Sequence, residues 1–172
     1  MLSFPLKDLR KNRSDCFESP YSGLHNAVGL YYLVENFLKQ HERYEENWAI
    51  LVFSTDRDFV SSSCAIGQDE IDAAVASTLV RICRRSDVLS YCDSGLFCIL
   101  TRVFEGDDMV MFARKILRYL EEMEYNDCKL TVAAKFGITF SKFSDTAETF
   151  MERAFEALKK ATETKEEIVI KI

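Results

Sequence analysis

The sequence predicts an α+β (α/β) fold: a ferredoxin-like βαββαβ core whose central, mainly antiparallel sheet is flanked by helices. Three observations predict it. Segments with apolar residues at spacings of three and four alternate with short apolar runs that read as strands. Two middle runs, residues 88–92 and 96–101, are parted only by Asp93-Ser94-Gly95, which is hairpin punctuation. Leu130, Val132, Ala134, Phe136, Ile138 and Phe140 alternate with smaller or polar residues, the period of a half-buried strand.

The elements follow in order. Residues 1–18 are irregular and basic around Lys7, Arg10, Lys11 and Arg13, and read as a linker or a helix extension; residues 19–172 form the domain. A first helix is expected over 22–41, with Leu30, Leu33, Val34, Phe37 and Leu38 on one face. The run 48–53, from Trp48 to Phe53, reads as a buried strand. A second helix is expected over 69–85, with Ile71, Val75, Leu79 and Ile82 aligned and Asp69 and Glu70 suiting the dipole of its first turn. The hairpin comes next. A third helix over 107–123 aligns Met109, Phe112, Ile116, Leu120 and Met123. The alternating run 130–140 is taken as one strand. Ser144-Asp145 opens a fourth helix, and residues 168–170 add an edge strand.

Composition narrows the function classes. The chain has 172 residues, 48% hydrophobic and 29% charged, which is the make-up of one ordinary globular domain. No apolar run approaches the ~20 residues of a membrane span, and the N-terminal stretch is too polar for a signal peptide. With 22 basic against 28 acidic residues the net charge is −6, so a nucleic-acid polymer is not expected as a partner. A small anion held by a local arginine cluster fits this balance. Six cysteines (Cys16, Cys64, Cys83, Cys92, Cys98 and Cys128) include no C-x-x-C pair, and only His25 and His41 could complete a metal site. Zinc is not expected. Free, buried thiols in a reducing cytosol are the favoured reading. Ser22 and His25 lack an orienting acid and a nucleophile elbow, so a hydrolase triad is not expected.

Four words stand in order along this frame. Ser19-Pro20-Tyr21-Ser22-Gly23-Leu24-His25-Asn26 opens it. Arg84-Arg85-Ser86-Asp87 follows the second helix, and five residues later comes Asp93-Ser94-Gly95-Leu96-Phe97. The run from Thr131 to Thr139 and the helix from Met151 to Ala161 close it. Together, over about Ser19 to about Lys165, they resemble the GGDEF domain of diguanylate cyclases: its opening D-x-L-T-G-L-x-N-R, its R-x-x-D, its G-G-D/E-E-F signature, its T-x-S-x-G-I strand and its A-D-x-A-L-Y-x-A-K helix. The resemblance implies a nucleotidyl-cyclase type of fold and a cytoplasmic domain of bacterial signalling.

The departures fall on the positions that the resemblance assigns to chemistry. The metal-binding acid of the signature is replaced by Gly95, and its glutamate by Leu96. Neither offers a carboxylate to a divalent ion. Asp93 and Ser94 stand where the family has two glycines close to the triphosphate, which adds charge and bulk. The family's D-x-D-x-F-K word falls on Ser54-Thr55-Asp56-Arg57-Asp58-Phe59-Val60 in either of two registers, one with Ser54 and one with Asp56 at the metal position, Asp58 then being the second acid. Both registers lack the phosphate-contacting lysine. Asp69 falls on the family's guanine-contacting aspartate. The best-kept word is Arg84-Arg85-Ser86-Asp87, which in the family is the inhibitory site for the product, cyclic di-GMP. Arg84 can fork onto a phosphate or a guanine edge, and Asp87 can accept from guanine N–H groups. Arg114 or Lys115, from the next helix, matches the family's further basic residue.

Three readings remain open. The first is a catalytically inactive GGDEF-like domain that receives cyclic di-GMP at Arg84, Asp87, Arg114, Lys115 and Asp69, or docks a protein partner or a second copy. It needs no cofactor and has no catalytic residue, the signature positions Asp93, Ser94, Gly95, Leu96 and Phe97 being degenerate. The second is a diguanylate cyclase joining two GTP through an atypical site that uses Asp56, Asp58 and Asp69, with Mg2+ at the first two. The third is an interaction domain independent of nucleotides. The bland alternative for R-x-x-D is a solvated charged helix end. The hairpin tip and the Arg84–Asp87 grip are expected side by side.

Overall fold

The computed structural model describes residues 17, 19–21, 23–55, 60–92, 95–105 and 108–172. The N-terminal segment 1–16, Asp56, Asp58, Asp93 and Ser94 lie outside them. A five-stranded sheet has the order β3-β4-β1-β7-β8. Its strands are β1 (Trp48–Ser54), β3 (Val88–Tyr91), β4 (Leu96–Arg102), β7 (Phe136–Phe140) and β8 (Ile168–Lys171). The helices are α1 (Ala27–Tyr44), α2 (Gln68–Ile82), α3 (Asp108–Glu121) and α4 (Ala147–Thr164). β2 (Val60–Ser62), β6 (Cys128–Val132) and β5 (Met123–Tyr125) form a separate three-stranded sheet. The expected core is present: β1, α2, the β3–β4 hairpin, α3 and β7 trace βαββαβ. β8 joins the edge parallel to β7, while every other pair in this sheet is antiparallel.

β1 is the axis of the molecule. All seven of its residues are buried, as expected of a strand covered on both faces. Leu51 lies opposite Ile99 of β4 and Ile138 of β7. Ala49, Leu51 and Phe53 face a core built with α2 and α3, through Ile71, Val75, Leu79, Ile116 and Leu120. Ile50 and Val52 face the other core, with Leu30 and Val34 of α1 and Phe150, Ala154 and Leu158 of α4. Each large side chain so buried contributes about 1.5–3 kcal/mol. α4 lies so close to β7 that a Cβ on Gly137 would meet the backbone nitrogen of Leu158 at 2.2 Å. Only glycine permits that approach.

Four expectations need correction. The first helix begins at Ala27, not Ser22, because Asn26 caps it: its Oδ1 accepts from the Gly29 N–H at 2.9 Å. The preceding word instead meets β3 at His25, whose N–H donates to Leu89 O while the Tyr91 N–H donates to His25 O. The second helix ends at Ile82, so Arg84-Arg85-Ser86-Asp87 is a turn rather than a helix end. The run 130–140 is two strands in two sheets. Ala134, between them, is buried in the same core, so the alternation passes through the break unmarked. Finally, the cysteines are not all free. β2 pairs with β6, which brings Cys64 and Cys128 to a Cα separation of 5.8 Å in a disulfide. Cys83, Cys92 and Cys98 are free thiols.

Candidate functional site

The tip of the β3–β4 hairpin is fastened to β1 and α2 by a buried polar network. Gly95 has φ +73°, a turn conformation that favours glycine. Its carbonyl accepts from the Thr55 N–H at 2.8 Å, and its N–H donates to the Tyr91 hydroxyl at 3.3 Å. At the centre lies Asp72, from the second turn of α2, with no exposed surface. Its carboxylate accepts from Thr55 Oγ1 at 2.6 Å, Gln68 Nε2 at 2.8 Å and the Tyr91 hydroxyl at 2.9 Å. Gln68 also donates to Thr55 O at 3.2 Å. A buried charge is tolerable only with such partners.

Burial pushes the Tyr91 phenol well above its ordinary pKa; the Gly95 N–H pulls the other way, and the Asp72 hydrogen bond and charge add to the rise. Tyr21 meets the Tyr91 ring edge-on at 4.9 Å. Its phenol is raised too, by burial first and then by the charges of Asp72 and Asp69. Sequence reasoning missed Thr55, Gln68, Asp72 and Tyr91 as a set. One signal was available: Asp72 shares the helical spacing of the apolar Val75 and Leu79.

A carboxylate side chain at the third signature position would have to displace this network. A Cβ on Gly95 would stand 2.5 Å from Thr55 Oγ1. Leu96 turns the other way and is buried in the core with α1 and α4. Phe97 is fully buried and stacks on Phe53 at 5.5 Å. Among the described residues no three metal-ligating side chains converge. Ser54 is buried at the end of β1; Asp56, Asp58, Asp93 and Ser94 fall outside the described residues.

The Arg84–Asp87 turn is a second locus. The Arg84 N–H donates to Asp87 Oδ2 at 2.7 Å, and the Asp87 N–H donates back to Arg84 O at 3.0 Å. Thr101 Oγ1 of β4 donates to Asp87 Oδ1 at 2.6 Å. Each carboxylate oxygen is thus oriented by one donor and keeps room for another. The Arg84 side chain is left at the surface. Lys115 reaches over from α3 and donates to Ile82 O at 3.1 Å. Next to them the Cys83 thiol is pushed up to about 12, by burial first and then by the Asp87 charge, with the Lys115 ammonium opposing. This thiol is not a nucleophile at neutral pH.

The structure therefore brings Arg84 and Asp87 together, with Lys115 anchored at Ile82 O just before the turn. Arg114 is elsewhere: with Val110 it borders a shallow depression beside Glu166, Glu167 and Ile168. Asp69 is exposed in the first turn of α2, while Arg84 follows its last; about 15 residues at ~1.5 Å each put them roughly 20 Å apart. Nor is the grip beside the tip. They occupy opposite ends of the hairpin, separated by the four residues of β3, about 13 Å.

Comparison with known proteins adds the family. A family model described as "Diguanylate cyclase, GGDEF domain" matches residues 20–167. Several solved structures share the fold at low identity. A GGDEF domain of DgcB from Caulobacter crescentus, in complex with c-di-GMP, is 15% identical with a TM-score of 0.76, covering 92% of this chain and 97% of that one. A GGDEF-only form of PA1120 (TpbB or YfiN) from Pseudomonas aeruginosa is 17% identical with a TM-score of 0.77, covering 90% and 94%. The diguanylate cyclase SiaD from Pseudomonas aeruginosa, in complex with its activator SiaC, is 17% identical with a TM-score of 0.73, covering 90% of this chain and 61% of that one. No curated protein matches the chain. No helix among the described residues is long and apolar enough to cross a membrane.

Proposed function

The chain belongs to the GGDEF domain family, and from that premise we propose that it is a catalytically inactive member that receives cyclic di-GMP at the Arg84–Asp87 turn. One observation carries the loss of catalysis. Gly95 stands where the family needs a metal-binding acid, and its Cβ position is already occupied by the Thr55 hydroxyl at 2.5 Å. The tip has been rebuilt around an internal carboxylate, Asp72, whose three donors hold it away from any metal. Magnesium coordination needs oxygen ligands with open access, and the described residues of the tip do not supply them.

The grip is intact in the same chain. Arg84 offers a planar fork to a phosphate or a guanine Hoogsteen edge, and Lys115, anchored at Ile82 O, adds a positive charge near the turn. Asp87, aimed by Thr101 and the Arg84 N–H, accepts from guanine N1 and N2. A solved GGDEF domain bound to c-di-GMP shares this fold, which supports the reading.

Two measurements test it. Incubation with GTP and Mg2+ or Mn2+, followed by product chromatography, is expected to yield no cyclic di-GMP; a product peak would return the protein to the cyclases. Calorimetry with cyclic di-GMP is expected to show binding by wild type and a loss of at least tenfold in Arg84→Ala, the ~1.5–3 kcal/mol of a charged hydrogen bond. No heat from wild type at high micromolar ligand removes the receptor role and leaves an interaction domain independent of nucleotides.

A further inference from the structure

We infer that Phe104, backed by Arg102, is a stacking lip of the Arg84–Asp87 site, selecting a ligand with a planar base over a bare phosphate. The inference rests on the receptor reading above and deepens it. Its basis is a juxtaposition that the R-x-x-D word does not require. β4 ends at Arg102, and Val103 pins the following segment by its burial. Phe104 comes next with 70% of its surface exposed, on the wall of the cleft that Arg84 and Asp87 also line. A phenyl ring left in water forgoes the stabilisation that burial would give it.

The ring is nevertheless held. The Arg102 guanidinium lies 5.2 Å from its centroid, and the Glu46 carboxylate fixes that guanidinium at 3.1 Å. Ring and cation are therefore held together among the residues that line the cleft with Arg84 and Asp87. The cleft itself measures about 50 Å3. That volume takes only a water or two, so a purine lies across the mouth, where Phe104 stands, rather than inside. Asp108, which also lines the cleft, sets the sign of the selection. Its carboxylate repels an isolated phosphate but accepts from the N–H donors of guanine. A base that stacks on phenyl gains about 1–3 kcal/mol whatever its sequence identity; an inorganic anion gains nothing from it.

The test compares wild type, Arg84→Ala, Phe104→Ala and Phe104→Trp by calorimetry with cyclic di-GMP and, separately, with inorganic pyrophosphate. Phe104→Ala should weaken cyclic di-GMP about 5- to 150-fold, the range of one stacked base. Pyrophosphate should bind weakly and equally to wild type and Phe104→Ala. Phe104→Trp should keep wild-type affinity, and its indole emission should be quenched as ligand is added. If Arg84→Ala loses cyclic di-GMP while Phe104→Ala retains it in full, the lip is refuted and the receptor reading stands. If wild type gives no heat, both fall together.

Discussion

Replacing Gly95 by alanine adds one methyl group at the most constrained point of the hairpin, and its cost can be worked from the structure. At φ +73° a Cβ costs about 1–2 kcal/mol. The new carbon would stand 2.5 Å from Thr55 Oγ1, so the hydroxyl must move, and its 2.6 Å bond to the buried Asp72 carboxylate is lost with it. A hydrogen bond to a charged group is worth about 1.5–3 kcal/mol. The sum is about 2.5–5 kcal/mol, or a fall in Tm of roughly 5–20 °C for a chain of this size. A second background separates the two costs. In Thr55→Ala the hydroxyl is already gone, so adding Gly95→Ala should cost only the conformational ~1–2 kcal/mol. Urea unfolding of the four proteins at pH 7 closes the cycle, with an expected coupling of about 1.5–3 kcal/mol. Equal costs in both backgrounds, or Gly95→Ala within about 0.5 kcal/mol of wild type, would refute the argument that the tip is filled from within.

Two further outcomes follow from other parts of the fold. The disulfide closes a span of 64 residues between Cys64 and Cys128, so Cys64→Ser, or reduction of wild type, should lower stability by about 4 kcal/mol on the loop-entropy account; denaturation with and without a thiol reductant checks it, and identical midpoints would sink it. Asp145 sits in a largely buried pair with Arg153 at 2.7 Å. Burial raises its pKa, but the Arg153 and Lys142 N–H donors outweigh burial and leave it below 3.8. A lowered carboxylate pKa stabilises the fold above about pH 4 and loses that contribution as pH falls through the folded value. Asp145→Asn should therefore be clearly less stable than wild type at pH 6 and approach it toward pH 2.5. A gap that stays constant across that range would show that the pair does not titrate with folding.

Local chemistry decided what could be read from the sequence. The strand at residues 48–53 and the helices around Val75, Ile116 and Ala154 were legible because each carries one unbroken period. Their ends were not, since Asn26 and the Asp87 turn compete with helix through side-chain hydrogen bonds that periodicity cannot see. The hand-over between β6 and β7 was hidden because two sheets bury residues of the same parity. The disulfide was hidden because Cys64 and Cys128 become neighbours only through the β2–β6 pairing, and β2 has just three residues. In the candidate site, that Gly95 and Leu96 carry no carboxylate was written in the letters themselves. What replaced them was not: Asp72 looks like one more charge on a helix until Thr55, forty residues from Gly95 along the chain, arrives beside it.

The distance between the two loci bears on how the tests can be read. The tip and the grip are each fixed by a threonine hydroxyl donating to an aspartate at 2.6 Å, Thr55 to Asp72 at one end and Thr101 to Asp87 at the other. The two pairs share no partner, and about 13 Å of β3 lies between tip and grip. Sites separated by more than ~10 Å without shared partners behave additively within about 0.5 kcal/mol. A chain could therefore lose its metal-binding acids at the tip without disturbing the orientation of Asp87. For the same reason, a change in cyclic di-GMP affinity in Arg84→Ala or Phe104→Ala reports on the grip itself, because the buried network at Asp72 lies beyond its reach.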